Sequence, residues 1–344
     1  MLAHHAVQRG EERNRALGVW GAMGAAGGAT GMILGGILTA ALGWEWIFFI
    51  NLPIGLGAAI AAPGLLPADS SSETGKKLDL AGALTITLAL GLLIFALNSS
   101  EQASFPIGLF LGLLAVAGIL LVAFVVIERR TSQPLVAFRL FRLPGVTGAN
   151  LAALLLNAII ASELFFTTLY LQQVLGLSAL ATGIAFLPNS ALVLVGSALA
   201  SRLVNRFGAG LTLAAGALIL GVSAFLLSGV TAGGSYLINV MPGFTLTGLG
   251  LGLTFVALTI SATSGVEERD QGLASGVVNT AIQLGSGVGI AAVVAVALAL
   301  SQTSSGSMSA RLVASYATGY LIDMVLALLI AVLALLLVHR HSRR

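Results

Sequence analysis

The chain is 344 residues long, 57% of them hydrophobic and 8% charged, with a mean hydropathy of +1.02 and a formal net charge of +3. A soluble domain carries about 25% charged residues, so there is too little polar surface here to coat a globule of this size. Composition therefore excludes a cytoplasmic enzyme, a nucleic-acid binder and a disordered scaffold, and leaves a polytopic membrane protein. Cysteine is absent, which removes disulfides, thiolate metal sites and cysteine nucleophiles. The pI near 9.7 is read as basic residues marking cytoplasmic loops rather than as a nucleic-acid footprint.

The apolar runs do not alternate and are long enough, at about 20 residues each, to cross a bilayer as helices. Ten are predicted, in chain order: Leu17–Ala41, Trp46–Leu66, Leu80–Leu97, Ile107–Ile127, Val146–Leu171, Leu180–Val204, Leu211–Leu227, Tyr236–Ile260, Ala274–Leu300 and Tyr316–Val338. Placed on this frame, fifteen of the sixteen lysines and arginines fall on one side, and only Arg311 falls on the other. Basic residues in short loops set orientation. Both termini are thus expected in the cytoplasm, the span number is even, and the chain is a multi-pass protein of the cell (inner) membrane without an evident signal peptide. The two longest polar connections, Pro67–Asp79 and Glu128–Pro144, divide it into a two-helix block over 1–66, two linking helices with cytoplasmic loops over 67–143, and a six-helix block with a cytoplasmic tail over 144–344.

In the first span Gly27, Gly31 and Gly35 recur every four residues, beside Gly24, Gly28 and Gly36. On a helix this makes a groove where another backbone approaches closely. With Gly18 placed before it, the pattern resembles the antiporter motif of the major facilitator superfamily, although Met32 stands where that motif has proline. GWEWIFFINLPIG (Gly43 to Gly55), ERRTSQPLVAFRLFR, YLQQVLGLSALATGIAFLP, SRLVNRFG and GLASGVVNTAIQLGSGVGIA are similar, in order, to landmarks of the fourteen-helix drug:proton antiporter branch. Glu45 replaces a common arginine. Aligned this way, Met1 falls before the family's fifth helix, so its first four helices have no counterpart, and the chain is expected to be a fragment or a truncated product. The resemblance implies an all-α facilitator fold. Residues 1–66 would be the last two helices of the N-terminal bundle and 144–344 the C-terminal six-helix bundle.

SRLVNRFG carries Ser201 and Asn205 where relatives often have glycine and aspartate, while Arg206 and Gly208 fit. Arg202, Arg206 and Gly208 are read either as a cytoplasmic loop latch between bundles or as arginines that merely hold topology. Among the spans, only Glu163 and Asp323 are clearly intramembrane acids. A charged side chain at the bilayer centre costs about 2.5–3.5 kcal/mol on insertion scales, so such a group faces a cavity or a partner. Helical spacing puts Glu163, Thr167 and Tyr170 on one face and Asn150 and Asn157 on another. Tyr316, Tyr320 and Asp323 form a stripe in the tenth span, and the ninth adds Asn279, Gln283 and Ser286. By rise per residue, Glu163 lies about 26 Å from the cytoplasmic end of its span and Asp323 about 10 Å below the outer end of its own. Each is a candidate for proton coupling or substrate contact, or else an acid in an outer vestibule solvated from outside.

Prolines 53, 188 and 242 lie inside spans or at their ends, as kinks at moving parts or as static bends. GLGLG at Gly248–Gly252 has no preceding strand and no lysine, so it is not a phosphate loop. The four histidines sit in the polar tails, no metal site is expected, and no catalytic constellation can be assembled. The resemblance implies a transporter without cofactor. It would export small amphipathic or cationic compounds by alternating access, with the proton gradient as driving force and lipid, substrate and protons as partners. Glu163, Tyr170, Tyr320 and Asp323 would line an electronegative cavity. Two alternatives stand beside it, a truncated facilitator-like sensor that does not transport and an exporter of an endogenous metabolite.

Overall fold

A computed structural model describes residues 27, 30–31, 34–65, 79–99, 106–131, 138–263, 266–267, 270–301 and 308–339, and these contain helices and no strand. In chain order they are α1 (seen continuously over 34–42), α2 (Trp46–Gly64), α3 (Leu80–Ser99), α4 (Ile107–Arg130), α5 (Gly145–Val174), α6 (Ala179–Phe207), α7 (Ala209–Leu227), α8 (Tyr236–Ala262), α9 (Gln271–Ala297) and α10 (Ser309–Leu336). All of these except α1 and α3 are long and apolar enough to cross a membrane, and α3 holds a shorter apolar stretch, Leu80–Ala96. They follow the predicted spans in order. Gly18, Gly24, Gly28 and Met32 lie outside the described residues, as do nine of the fifteen basic residues counted on one side.

Two boundaries differ from the sequence reading, and two helices are interrupted near their prolines. The last helix begins seven or eight residues before Tyr316, so Arg311 sits on its opening turns instead of in a loop. Serine and alanine there extend the helix beyond the apolar stretch that defined the span. The sixth span, predicted to end at Val204, stays helical through Phe207, and the turn between α6 and α7 is Gly208 alone, with φ +86° and its N–H on the Val204 carbonyl at 2.8 Å. Helix α6 is interrupted at Phe186, just ahead of Pro188. Pro242 likewise follows a π-helical turn, Tyr236–Val240.

The turn between α5 and α6 shows how local chemistry sets the packing. Gly176 takes φ +70° and lets the Leu177 N–H reach back to the Leu171 carbonyl at 2.9 Å, closing α5 with a Schellman-type turn. Two residues later the Ser178 hydroxyl accepts from the Ala181 N–H at 3.2 Å and opens α6, the usual N-cap arrangement.

Helices α5 to α10 share an interior, and α3 pairs with α4. That interior has two apolar levels. The inner one joins Ala153, Leu156 and Ile159 of α5 with Leu213, Leu220, Leu258 and Ile330. The outer one joins Phe166, Tyr170 and Leu171 with Phe186, Leu227, Phe244, Tyr316 and Tyr320.

Glycine sets how closely the helices approach. A Cβ on Gly248 or Gly252 would run into the α6 backbone at Asn189 and Val193, and one on Gly250 would meet the Gly216 carbonyl of α7. The GLGLG run is therefore where α6, α7 and α8 meet. Gly285 and Gly289 play the same part for α9, against Leu154 and Ala158 of α5. Close backbone approach of this kind drives helix association in lipid, where the hydrophobic effect is absent. Replacing Gly285 with Val is predicted to lower the unfolding temperature of the detergent-solubilised protein, at a cost of about 1–3 kcal/mol for overpacking. Gly112→Ala in α4, where a Cβ meets open space, is predicted to leave it unchanged or slightly raised.

Candidate functional site

Between the two apolar levels lies a polar layer. Ser162 and Glu163 come from α5, Ser223 from α7, Thr247 from α8 and Asp323 from α10, and all five are buried. Glu163 is 1% exposed and Asp323 0%, which corrects the expectation that they face an outer vestibule or line an open cavity. The cause is the seam between α5 and α10. Gly319 has no side chain, so the Phe166 ring lies against the α10 backbone, with centroids 5.8 Å from Tyr316 and 6.0 Å from Tyr320. This aromatic packing closes the layer on the side of the α5–α6 turn.

The polar contacts follow the two stripes read from the sequence. The Ser162 hydroxyl meets Oδ1 of Asp323 at 2.7 Å, and the Thr167 and Tyr320 hydroxyls are 2.9 Å apart. The Tyr170 hydroxyl donates to the Thr231 carbonyl at 2.8 Å, and that of Tyr316 to Oε1 of Gln173 at 3.2 Å. Ser223 donates to the Gly243 carbonyl at 2.8 Å and makes a short contact with Thr247, which itself stands beside the Glu163 carboxyl. By hydrogen-bond geometry, neither Glu163 oxygen nor Oδ2 of Asp323 has a partner among the described residues. The two acids are close enough to interact electrostatically. On α10 the nearest arginine, Arg311, is twelve residues from Asp323, about 18 Å at 1.5 Å per residue.

The structure thus brings together Glu163, Thr167, Tyr170, Tyr320 and Asp323 of the expected site residues. Asn157 is buried in the inner apolar level, with its amide on the Ala153 carbonyl of its own helix at 3.0 Å. Asn279 and Gln283 are exposed on α9 and belong to a different face. Of the glycine-motif residues, Gly36 lies against the backbone of Ala179 and Leu180, whereas Cβ atoms on Gly27, Gly31 and Gly35 would meet nothing within 4 Å. Arg202 and Arg206 are exposed on the last turns of α6, and the Arg206 guanidinium lies 5.1 Å from the centroid of the Phe207 ring. Ser162, Ser223 and Thr247 escaped the sequence reading. Ser162 was signalled only by its position next to the acid, and the other two sit in uniformly apolar stretches where spacing along one helix says nothing of its neighbours.

An all-helical membrane protein with an acid-bearing polar layer inside a six-helix bundle has an informative sequence counterpart. The family model of the Major Facilitator Superfamily matches residues 2–290. The chain belongs to this superfamily. It is 36% identical over 332 residues to the cephamycin export protein of Amycolatopsis lactamdurans, covering 94% of this chain and 66% of that protein. It is 31% identical over 278 residues to the tetracenomycin C resistance and export protein of Streptomyces glaucescens, covering 81% and 52%. To the puromycin resistance protein of Streptomyces alboniger it is 35% identical over 290 residues, covering 81% and 56%. The chain therefore spans between half and two thirds of the length of these relatives.

The Thr167–Tyr320 pair is testable. Tyr320→Phe is predicted to leave Thr167 buried without its partner and to cost about 1–3 kcal/mol in unfolding free energy. The double variant with Thr167→Val is predicted to be less destabilised than the sum of the two single changes.

Proposed function

We propose that this facilitator-family protein is an exporter of small amphipathic compounds, working by alternating access and driven by the proton gradient, with Glu163 as the coupling carboxyl. It is a carrier without a cofactor and not an enzyme. The observation that supports it best is the Glu163 carboxyl itself, buried in the bundle with neither oxygen in hydrogen-bond geometry to any described residue. Intramembrane acids of this kind mark proton relays in transporters. Asp323, held by Ser162 across the same seam, is its partner, so that a proton gained or lost at one carboxyl changes the electrostatics at the other. Relatives named for the export of cephamycin and tetracenomycin C and for resistance to puromycin support a substrate of antibiotic size and chemistry.

The α3–α4 hairpin, whose helices pack chiefly on each other, supports placing the protein in the fourteen-helix drug:proton antiporter branch, as the pair inserted between two bundles. The arginine distribution supports an inner-membrane location with both termini in the cytoplasm, and puts Arg202 and Arg206 at the cytoplasmic face, where they are available as a latch.

The test is proton-driven efflux. For whichever antibiotic the wild type exports fastest from a panel including puromycin, Glu163→Gln is predicted to abolish the acceleration produced by an imposed pH gradient while substrate binding persists. Unchanged gradient-driven efflux in that variant would remove Glu163 from the mechanism.

A further inference from the structure

Helix α9 has two different exposed surfaces along its length. Near its start the exposed residues are Gly272, Ser275, Gly276, Asn279, Thr280 and Gln283; near its end they are Ala292, Ala295 and Val296. The second set is ordinary lipid-facing surface. The first is not, because amide side chains left in hydrocarbon lose their hydrogen bonds to water. Thr280 satisfies its own hydroxyl on the Gly276 carbonyl at 2.9 Å. The amides of Asn279 and Gln283 have no partner among the described residues.

Direction and depth narrow the meaning of this strip. Gly285, two residues and thus about 200° round the helix from Gln283, faces α5 at Leu154. Asn279 and Gln283 consequently point away from their own bundle. Gln283 is twelve residues, about 18 Å, from the start of α9 at Gln271, the end that the basic residues place in the cytoplasm. One turn higher on the same face, a Cβ on Gly287 would come within 3.5 Å of Ile94 of α3. The strip is open below and closed above by an apolar side chain, whereas a seam with another helix would be expected to continue past it. No charged side chain stands on it.

We propose that Ser275, Asn279 and Gln283 form one wall of a crevice open to the cytoplasm. There they hydrogen-bond the uncharged amide, carbonyl or hydroxyl groups of the exported compound. The substrate class is then neutral, oxygen-rich amphipathic molecules rather than lipophilic cations, since Glu163 and Asp323 are shut inside the bundle and cannot meet a cation there. The substrate assignment rests on the export reading above, while the crevice does not.

The natural absence of cysteine makes the crevice directly measurable. Asn279→Cys, Gln283→Cys and Val296→Cys are made one at a time and exposed in everted vesicles to a charged, membrane-impermeant thiosulfonate. Asn279→Cys and Gln283→Cys are expected to label rapidly and Val296→Cys scarcely at all. Equal, slow labelling of all three would overturn the crevice and make this face a seam with another helix. The substrate arm compares chloramphenicol, a neutral compound with an amide and two hydroxyls, with the cation ethidium. Chloramphenicol is expected to slow labelling of Gln283→Cys. Gln283→Leu is expected to raise its half-maximal transport concentration about five- to tenfold, the loss of one hydrogen bond, with ethidium unaffected. Rapid labelling with neither protection nor a shift in that concentration would overturn the substrate assignment. Cysteine variants that label as expected, while the wild-type protein moves neither compound, would count against the export reading and leave the crevice standing.

Discussion

A carboxyl group cannot be left bare in the interior of a membrane bundle, and the packing of α5 against α10 is organised around that constraint. Insertion alone costs about 2.5–3.5 kcal/mol per charged acid, and here two acids share one buried layer without a basic side chain of their own helices close by. What holds the layer shut is largely apolar. Phe166 seats on Gly319 between two tyrosines, and an aliphatic level lies beneath. Hydroxyl groups supply the rest, with Ser162 on Asp323 and Thr167 on Tyr320. The result is a layer that is buried but incompletely satisfied, since three carboxyl oxygens have no hydrogen-bond partner among the described residues. Buried polar networks of this kind respond strongly to a single proton, because the low dielectric that makes an unpaired group costly also magnifies any change in its charge.

Most of the architecture was legible because lipid imposes so few solutions. Runs of about 20 apolar residues can only be helices, and the helices fall in the predicted order. The pairing of Glu163, Thr167 and Tyr170 on one stripe with Tyr316, Tyr320 and Asp323 on another was likewise readable, since spacing along a single helix fixes a face. Which way the face points was not. Depth alone suggested outer-vestibule acids, and burial overturned that because Gly319 and Phe166 close the seam, a contact between residues 153 positions apart. Ser223 and Thr247 were invisible for the same reason. The sixth span was ended three residues early, at Val204, because Asn205 and Arg206 are polar while remaining helical up to Phe207.

The molecule separates two kinds of polarity. Its ionisable groups in the membrane lie inside the six-helix interior, whereas Asn279 and Gln283, neutral and exposed, lie on the opposite side of α9 from that interior. Close glycine contacts mark the boundary between these regions, with Gly285 and Gly289 pressed on α5. On the export reading proposed above, the proton site and the substrate surface are separate and communicate through helix movement, and the π-helical turn Gly285–Gly289, pressed on Leu154 and Ala158 of α5, is a natural place for α9 to yield.

The buried acid layer depends on Ser162 and Asp323 facing each other across α5 and α10. The most direct measurement is cross-linking of the double variant Ser162→Cys with Asp323→Cys, in a chain that has no other cysteine, by a short membrane-permeant bifunctional thiol reagent in native membranes. Efficient intramolecular cross-linking, absent when Leu151→Cys replaces Ser162→Cys, is the predicted result. Failure of the first pair to cross-link while both thiols remain reactive would contradict the buried acid layer.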